Sequence, residues 1–167
     1  MREKTDKNLA YAFAAESKAA IRNVAFALKA EKENFPQIAR LFRAVSDAES
    51  VHANRYLLLM RGKVGSTEEN IKVAFESEKK AHSDEYPVLI RDATEEGASN
   101  AVLKAFSQSR DAENRHAELY KNAMSDMIWD RETEYHVCQV CGYISEDRAP
   151  ENCPICGAVR NKFKQTT

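Results

Sequence analysis

The sequence predicts an all-α four-helix bundle, followed by a small metal-binding domain that contains four cysteines. Apolar residues recur three or four positions apart through residues 5–130, and breaks divide this stretch into four segments of similar length. All four cysteines lie within the last thirty residues, where the density of Gly and Pro also changes. We therefore predict two domains, residues 1–132 and 133–167, with the boundary between Arg131 and Tyr135.

The composition is that of a globular protein and excludes several classes of function. Of the 167 residues, 31% are charged and 43% are hydrophobic, and the formal net charge is −1. No basic field therefore indicates a nucleic-acid partner. Charged residues interrupt the apolar stretch at residues 9–28, and neither a membrane span nor a secretory signal is readable. We expect a cytoplasmic protein without a nucleic-acid or membrane partner.

Local signals define the ends of the helices. The predicted helices span Thr5 or Asp6 to about Lys32, Pro36 to about Met60, Ser66 to Gly97, and Ser99 to about Asp130. Pro36 suits the first turn of a helix, and the segment STEE, which starts at Ser66, has the form of a capping box. Pro87 lies inside the third helix, where proline costs about 3 kcal/mol. We expect a kink there, or a helix in two pieces.

One ten-residue segment occurs twice, as DAESVHANRY and as DAENRHAELY. In each copy a Glu precedes a His by three positions, which places both side chains on one helix face. The pairs are Glu49 with His52 and Glu113 with His116. A tyrosine follows one turn later, at Tyr56 and Tyr120, and either bonds a ligand carboxylate or fills the core.

The predicted inward faces of the first and third helices also carry a carboxylate each. Glu16 precedes Glu49 by 33 residues, and Glu78 precedes Glu113 by 35. Each interval contains part of one helix, a turn and part of the next helix, so the two glutamates lie at about the same level along the bundle axis. Buried carboxylates are unfavourable unless cations pair with them.

Two divalent irons satisfy this requirement. Four glutamates balance their charge, and two neutral imidazoles complete the ligand set found in ferritin-like di-iron bundles. A single Glu-x-x-His segment is usually solvated, whereas two copies with partner glutamates indicate a metal centre. The predicted ligands, which are also the predicted catalytic residues, are Glu16, Glu49, His52, Glu78, Glu113 and His116.

The tail contains two Cys-x-x-Cys pairs, separated by eleven residues and each followed by Gly. The predicted ligands of this second metal site are Cys138, Cys141, Cys153 and Cys156. Four thiolates in this pattern form a tetrahedral site for iron or zinc. One alternative is a zinc ribbon that only stabilises the tail. Disulfides are disfavoured because no secretory feature is present.

Over nearly its full length the sequence resembles the rubrerythrins. The resemblance rests on FAAES at Phe13–Ser17, on both DAE-x-x-HA segments, on EYP at Glu85–Pro87, on EEG at Glu95–Gly97 and on the four-cysteine tail. The segments CGY and CPICG are similar to rubredoxin, which favours iron over zinc in the tail. The resemblance implies a ferritin-like bundle and a rubredoxin-like domain. It also implies a non-haem di-iron peroxidase that reduces hydrogen peroxide to water in oxidative-stress defence.

The resemblance implies roles for single residues and for partners. Glu49 and Glu113 would bridge the irons, Glu16 and Glu78 would bind terminally, and His52 and His116 would each bind one iron. Electrons would come from rubredoxin or an NAD(P)H-dependent reductase and pass through the rubredoxin-like iron. Rubrerythrins usually carry a further Glu one turn after the third-helix Glu. Ala81 stands at that position, which puts a carboxylate–histidine exchange in question.

Two alternative functions and one assembly follow from these observations. Without the further Glu, the site is also similar to a ferritin ferroxidase centre, which predicts iron handling. A zinc-stabilised binding or sensing protein is the third possibility. Helices of about 40 Å would separate a chain's tail from its own di-iron centre. We therefore expect a head-to-tail homodimer in which each tail serves the other bundle.

Overall fold

The computed structural model describes residues 3–126 and 133–166. The helices are α1 (Glu3–Lys32), α2 (Pro36–Leu59), α3 (Thr67–Lys80), α4 (Tyr86–Glu95) and α5 (Asn100–Asp126), and the strands are β1 (Tyr135–Cys138), β2 (Ile144–Glu146) and β3 (Phe163–Thr166). The predicted end of the fourth helix, at Asp130, lies outside the described residues, as does part of the predicted domain boundary. No described helix combines the length and hydropathy of a bilayer span.

The chain packs as two compact units, Met1–Gly65 and Ser66–Thr167. In the first unit, α1 and α2 form a hairpin whose turn contains Asn34 in the left-handed conformation (φ 61°). Small residues are buried between the two helices: Ala20, Ala27, Ala30, Ala39, Ser46 and Ala53. The Ser46 hydroxyl donates a hydrogen bond of 2.9 Å to the Ala20 carbonyl. These small side chains let the two backbones approach closely, which aligns the faces that carry Glu16 and Glu49.

In the second unit, the predicted third helix is interrupted by a π turn at Ala81–Glu85. The Tyr86 N–H bonds the Ala81 carbonyl, five residues back, and Pro87 then lies in the first turn of α4. Proline is tolerated there because first-turn N–H groups need no partner within the helix. The expected kink or break at Pro87 thus corresponds to a π turn between α3 and α4, and Gly97 (φ 67°) follows the end of α4.

The tail of the second unit folds as a three-stranded antiparallel sheet in the order β2–β1–β3. Cys138 and Cys153 are its most buried side chains, with 1% and 3% exposure. Tyr143 and Phe163 pack edge to face, with ring centroids 6.5 Å apart. A core with so few apolar contacts does not stabilise the fold of a domain of this size unless a bound metal or a similar cross-link adds to it.

The capping box at the start of α3 is present as predicted. The Glu69 N–H donates to Ser66 Oγ at 3.2 Å, and the Ser66 N–H donates to Glu69 Oε2 at 2.7 Å. We expect Ser66→Ala to lower the free energy of unfolding by about 1 kcal/mol. The melting temperature, followed by circular dichroism, should fall by about 2–4 °C.

The matched control for this substitution is Ser125→Ala. Among the described residues, the exposed Ser125 hydroxyl bonds only the Lys121 carbonyl of its own helix, so its loss should leave the melting temperature nearly unchanged. Equal melting temperatures for the two variants would contradict the capping role of Ser66.

Candidate metal centres

Three groups of metal-ligating side chains lie in the described part of the chain. They are Glu16, Glu49 and His52; Glu78, Glu113 and His116; and Cys138, Cys141, Cys153 and Cys156. Within each group, one donor atom from every residue lies within 4.8 Å of the others. All ten predicted ligands are therefore found in these groups. The six Glu and His residues form two groups of three, one inside each compact unit.

The first group is built by α1 and α2. His52 Nδ1 lies 2.9 Å from Glu49 Oε2, and the His52 side chain is 53% exposed. The pKa of Glu16 is raised, chiefly by its hydrogen bond with the Glu49 carboxyl, and further by burial and by the Glu49 charge. A bound cation would relieve the repulsion between these two neighbouring carboxylates.

The second group is built by α3 and α5. His116 Nδ1 lies 2.9 Å from Glu113 Oε2 and 3.7 Å from Glu78 Oε2. The other ring nitrogen, Nε2, lies 2.9 Å from the Gly142 carbonyl oxygen. Because a carbonyl only accepts, Nε2 carries the proton in this bond. Nδ1 is then the nitrogen that faces the carboxylates, which is the usual arrangement of a histidine ligand in metalloproteins.

The electrostatics of this second group favour a bound cation. The pKa of Glu78 is raised from 4.5 to about 7, chiefly by burial and further by the hydrogen bond with Glu113 and by the Glu113 charge. A divalent cation would remove the repulsion between the two carboxylates. The donor types, carboxylate oxygen and imidazole nitrogen, suit iron, so both Glu/Glu/His groups fit a di-iron centre.

A raised carboxyl pKa makes a metal-free chain less stable as the pH rises. Protonated Glu78 is favoured in the folded state, so this contribution is present below pH 4.5 and is lost as the pH rises towards about 7. We expect the urea midpoint of the EDTA-treated protein to fall across this window, and Glu78→Gln to reduce that fall.

Exposed Glu76 provides the control for this prediction, because it makes only a 4.0 Å ion pair with Lys79. The variant Glu76→Gln should keep the wild-type pH dependence. A midpoint that falls by the same amount between pH 5 and pH 7 in wild type, Glu78→Gln and Glu76→Gln would contradict the assignment to Glu78.

The four cysteines form two equivalent turns. The Gly142 N–H donates to the Cys138 carbonyl at 3.0 Å, and the Gly157 N–H donates to the Cys153 carbonyl at 2.9 Å. Both glycines are left-handed, with φ values of 80° and 75°. A side chain in this conformation would strain the turn, so the glycine after each Cys-x-x-Cys pair has the conformational role predicted for it.

The cysteine sulfurs are spaced as a tetrahedral metal site requires. Sγ–Sγ distances are 3.6 Å for Cys138–Cys156 and for Cys141–Cys153. Metal–sulfur bonds of about 2.3 Å place tetrahedral sulfurs about 3.8 Å apart, and all four cysteines are free of disulfides. The residues therefore fit a tetrahedral iron or zinc ion.

The backbone around the sulfurs already favours a thiolate at one of these positions. Burial acts to raise the pKa of Cys138, but the N–H groups of Val140 and Cys141, together with the hydrogen bonds from the Cys156 and Cys141 thiols, outweigh it, and the pKa is lowered. Burial dominates at Cys141 and Cys156 and raises the pKa of both thiols. A bound metal is thus required to hold all four as thiolates.

A cavity of about 550 Å³ adjoins the second group. Its lining combines Glu78 and His116 with mainly apolar side chains from α3, α5 and the sheet: Ile71, Leu119, Tyr120, Ala123, Tyr135, Val137, Ile144 and Thr166. Tyr120 therefore lines a cavity, and its hydroxyl makes no hydrogen bond to any residue that the structure describes. Such a cavity could admit a small molecule beside the donors.

The structure shows the surroundings of Ala81, which stands where rubrerythrins usually carry a further Glu. Ala81 starts the π turn, His82 Nδ1 bonds the Arg110 carbonyl at 2.9 Å, and exposed Glu85 pairs with Lys80 at 2.8 Å. Neither His82 nor Glu85 joins the donors around Glu78. Among the described residues, no side chain replaces the further Glu of the rubrerythrins.

Sequence reasoning missed Arg115. Its guanidinium donates to the Ile144 carbonyl at 3.2 Å and to Glu146 Oε2 at 2.8 Å. The available signal was the difference between the two repeats, because Val51 occupies the position that corresponds to Arg115.

These contacts also correct one expectation. We expected the tail to lie far from its own chain's ligands, yet Gly142 bonds His116 of the same chain. The length of α5, about 40 Å, therefore does not by itself keep the tail away from His116.

Comparison with known proteins identifies the family. The rubrerythrin family model matches residues 7–124, and the model of the rubrerythrin rubredoxin-like domain matches residues 136–164. Nigerythrin of Nitratidesulfovibrio vulgaris is 36% identical, with 95% of this chain and 85% of that protein covered. Rubrerythrin of Porphyromonas gingivalis is 33% identical, with 96% and 89% covered.

Solved structures agree with these sequence matches. A mixed-valence nigerythrin structure matches with a TM-score of 0.57 and 34% identity, over 97% of this chain and 86% of that one. An all-ferrous nigerythrin structure matches with a TM-score of 0.57 and 33% identity, with the same coverage.

The predicted fold class is confirmed. The predicted cofactors are confirmed as well, since a di-iron centre and a mononuclear iron centre with four cysteine ligands characterise this family and the donor groups fit both. The chain therefore belongs to the rubrerythrin family.

Proposed function

We propose that this protein is a non-haem di-iron peroxidase that reduces hydrogen peroxide to water in oxidative-stress defence. The reaction consumes two electrons and two protons per peroxide and yields two waters. One observation carries the proposal: a four-cysteine domain of the electron-transfer type contacts, through Gly142, a histidine of a Glu/Glu/His group. When bound, the irons supply the electrons and the Lewis acidity that O–O cleavage needs.

The side chains balance the charge of the metal ions, orient the ligands and limit the access of water. We propose that Glu16, Glu49, His52, Glu78, Glu113 and His116 would hold the two irons. The four carboxylates balance two divalent cations, and the neutral imidazoles leave open positions. The hydrogen bond from His116 Nε2 to Gly142 holds the ring in one orientation. The mainly apolar cavity beside Glu78 limits water around the donors.

Stopped-flow mixing tests the proposed reaction. The fully reduced, iron-loaded protein is mixed anaerobically with hydrogen peroxide, or separately with oxygenated buffer. We expect oxidation by peroxide to be at least about ten times faster than oxidation by oxygen, with one peroxide consumed per two electrons. A faster reaction with oxygen would contradict a peroxidase.

Ferroxidase activity is the second candidate, and Ala81 favours it. The second group has three donors and lacks the further carboxylate of the family. Addition of excess Fe(II) in air distinguishes the two functions. A ferroxidase would oxidise many irons per chain, whereas a peroxidase without iron storage would stop once its own sites are filled.

The metal in the tail and the electron donor are also open to direct tests. We propose rubredoxin or an NAD(P)H-dependent reductase as the electron donor. Iron gives a red ferric chromophore, while a colourless protein that contains zinc would favour a binding or sensing role.

The homodimer stays a prediction, which light scattering during size-exclusion chromatography would test.

A further inference from the structure

We propose that a cationic cavity on the tail is the docking site of an acidic electron-donor protein, which places a surface carboxylate between two arginines. We call it the arginine cavity, after Arg148 and Arg160, which line it. The inference rests on the proposed function, which requires a one-electron donor protein. It adds the surface and the chemistry by which that donor is recognised.

The arginine cavity is formed by the tail alone. It has a volume of about 410 Å³, and its lining residues are His136, Arg148, Ala149, Arg160, Phe163 and Gln165. Both arginines are exposed, and neither guanidinium makes a hydrogen bond or an ion pair with residues 3–126 or 133–166. Asp147 and Glu151 are close to them in sequence, yet neither carboxylate pairs with a guanidinium. The two cations are therefore accessible to an anion from outside the domain.

The chemistry of arginine favours an oxyanion in this cavity. A guanidinium stays charged at physiological pH, and its planar fork of N–H donors matches the two oxygens of a carboxylate. Two like charges at one cavity repel each other, and an anion between them removes the repulsion. An acidic side chain of a second protein supplies such an anion. The arginine cavity is thus complementary to an acidic protein surface.

The arginine cavity lies beside the four-cysteine site. Strands β1 and β3 pair His136 with Gln165 and Cys138 with Phe163. Directly paired residues share a sheet face, and so do residues two positions apart on one strand. Three residues of the cavity therefore lie on the same face as the ligand Cys138, and one of them, Phe163, is its direct cross-strand neighbour. A donor that docks at the cavity is held next to the metal site.

The same sheet face also carries polar atoms that lack a partner. His136 Nδ1 and Ser145 Oγ are buried, and neither makes a hydrogen bond to any residue that the structure describes. His136 and Ser145 are directly paired between β1 and β2. Buried polar atoms are normally bonded by the protein, by ordered water or by a bound group. These two atoms favour a polar occupant of this face over an apolar one.

Exposed valines form the competing docking surface of the tail. Val140, between the ligands Cys138 and Cys141, is 58% exposed, and Val159 is 51% exposed. Salt screens the attraction between charges but does not screen an apolar contact. Docking at the arginine cavity and docking at the valines therefore differ in their dependence on ionic strength.

The docked donor transfers one electron. The donor is oxidised by one electron and the ferric four-cysteine iron is reduced to the ferrous state, with no proton transferred and no bond broken. Arg148 and Arg160 take no part in this chemistry. They raise the rate of encounter and orient the donor.

The first test measures binding without electron transfer. The full ¹⁵N-labelled chain, prepared with zinc in its metal sites, is titrated with a zinc-substituted rubredoxin that has an acidic surface. We expect the largest amide shifts at Arg148, Ala149, Arg160 and Gln165. The double variant Arg148→Gln/Arg160→Gln should raise the Kd at least about tenfold. Absence of binding, or largest shifts around Val140, would overturn the proposal.

The matched control is the double variant Lys162→Gln/Lys164→Gln, which removes the same charge from the same domain. Lys164 is paired with Val137, points to the opposite sheet face and lines a different cavity. We expect this control to change the Kd by less than about twofold. An equal loss of affinity in both double variants would mean that net charge alone guides binding, which would refute the assignment to the arginine cavity.

Inorganic phosphate distinguishes a docking site from a site for a free anion. It is titrated into the same labelled protein, and the shifts at Arg148 and Arg160 are followed. We expect phosphate to bind more weakly than rubredoxin, because a protein surface adds further contacts around its carboxylate. A lower Kd for phosphate than for rubredoxin would assign the cavity to a free anion and refute the donor site.

The second test follows electron transfer and separates this inference from the proposed function. Reduced rubredoxin in excess is mixed with peroxide and a small amount of the iron-loaded chain, and the absorbance of ferric rubredoxin is recorded. At low ionic strength we expect the double arginine variant to be about tenfold slower than wild type. The difference should disappear in about 0.5 M salt, where charges are screened within a few ångströms.

The outcomes for the two proposals are distinct. Failure of wild type to oxidise rubredoxin with peroxide would refute the peroxidase and leave the binding result intact. With wild type active, a wild-type rate in the double arginine variant, or an equal loss of rate at low and high salt, would refute the docking role of Arg148 and Arg160 alone.

Discussion

Replacing Glu113 with Gln is expected to abolish metal binding at the second group and to lower the rate of peroxide reduction at least about 100-fold. The substitution keeps the size of the side chain but removes one of the two carboxylates that face His116 Nδ1. The remaining charge then balances one cation poorly, and an amide is a weak ligand for iron. Iron content per chain and steady-state peroxide consumption are the measurements.

Glu76→Gln is the matched control for Glu113→Gln, because Glu76 lies on α3 outside the group and makes only one weak ion pair. Its iron content and rate should equal those of wild type. Normal iron content in Glu113→Gln would remove Glu113 from the ligand set. A normal iron content with a low rate of peroxide reduction would instead indicate that the Glu113 carboxylate takes part in the reaction and is not needed for metal binding.

Replacing Cys153 with Ser is expected to remove one metal per chain and to unfold the tail while the helices persist. A domain of about thirty residues depends on its metal for folding, and Cys153 is buried at the site. Peroxide reduction supported by a donor protein should fall at least about 100-fold, because the electron entry point is lost. Reduction supported by a small chemical reductant that reaches the di-iron centre directly should remain.

Val140→Ala provides the control for Cys153→Ser. Val140 lies between two cysteine ligands, is 58% exposed, and contributes its backbone N–H to Cys138. The smaller side chain leaves that N–H in place, so metal content and both rates should be retained. An equal loss of rate with both types of reductant in Cys153→Ser would contradict a relay role for the tail.

The helices and the grouping of the candidate ligands were predictable because their sequence signals are local. Ser66 and Glu69 identify a capping box four residues long, and Glu-x-x-His places two donors on one helix face whatever the helix packs against. The same holds for Cys-x-x-Cys followed by Gly, since the left-handed turn at Gly142 depends on its own backbone. These short patterns retain their meaning without knowledge of the tertiary structure.

The interruption of the third helix was predictable only in part. Pro87 indicated a kink or a break, but the π turn at Ala81–Glu85 depends on how α3, α4 and α5 pack. One of its residues, His82, bonds a carbonyl of α5. A hydrogen bond between residues 28 positions apart leaves no periodic trace in the sequence, which is why the turn had to be observed.

The sequence by itself indicated the chemistry of this protein: ten candidate metal-ligating residues, their division between oxygen–nitrogen and sulfur groups, and the helices and turns that present them. Only the tertiary structure decided how these parts are connected. It placed the Gly142 carbonyl on His116 and the Arg115 guanidinium on Ile144 and Glu146 of the same chain. The physical reason is range: ligand spacing depends on a few neighbouring residues, whereas docking of the tail depends on shape and polar groups 26 to 31 residues apart in the chain.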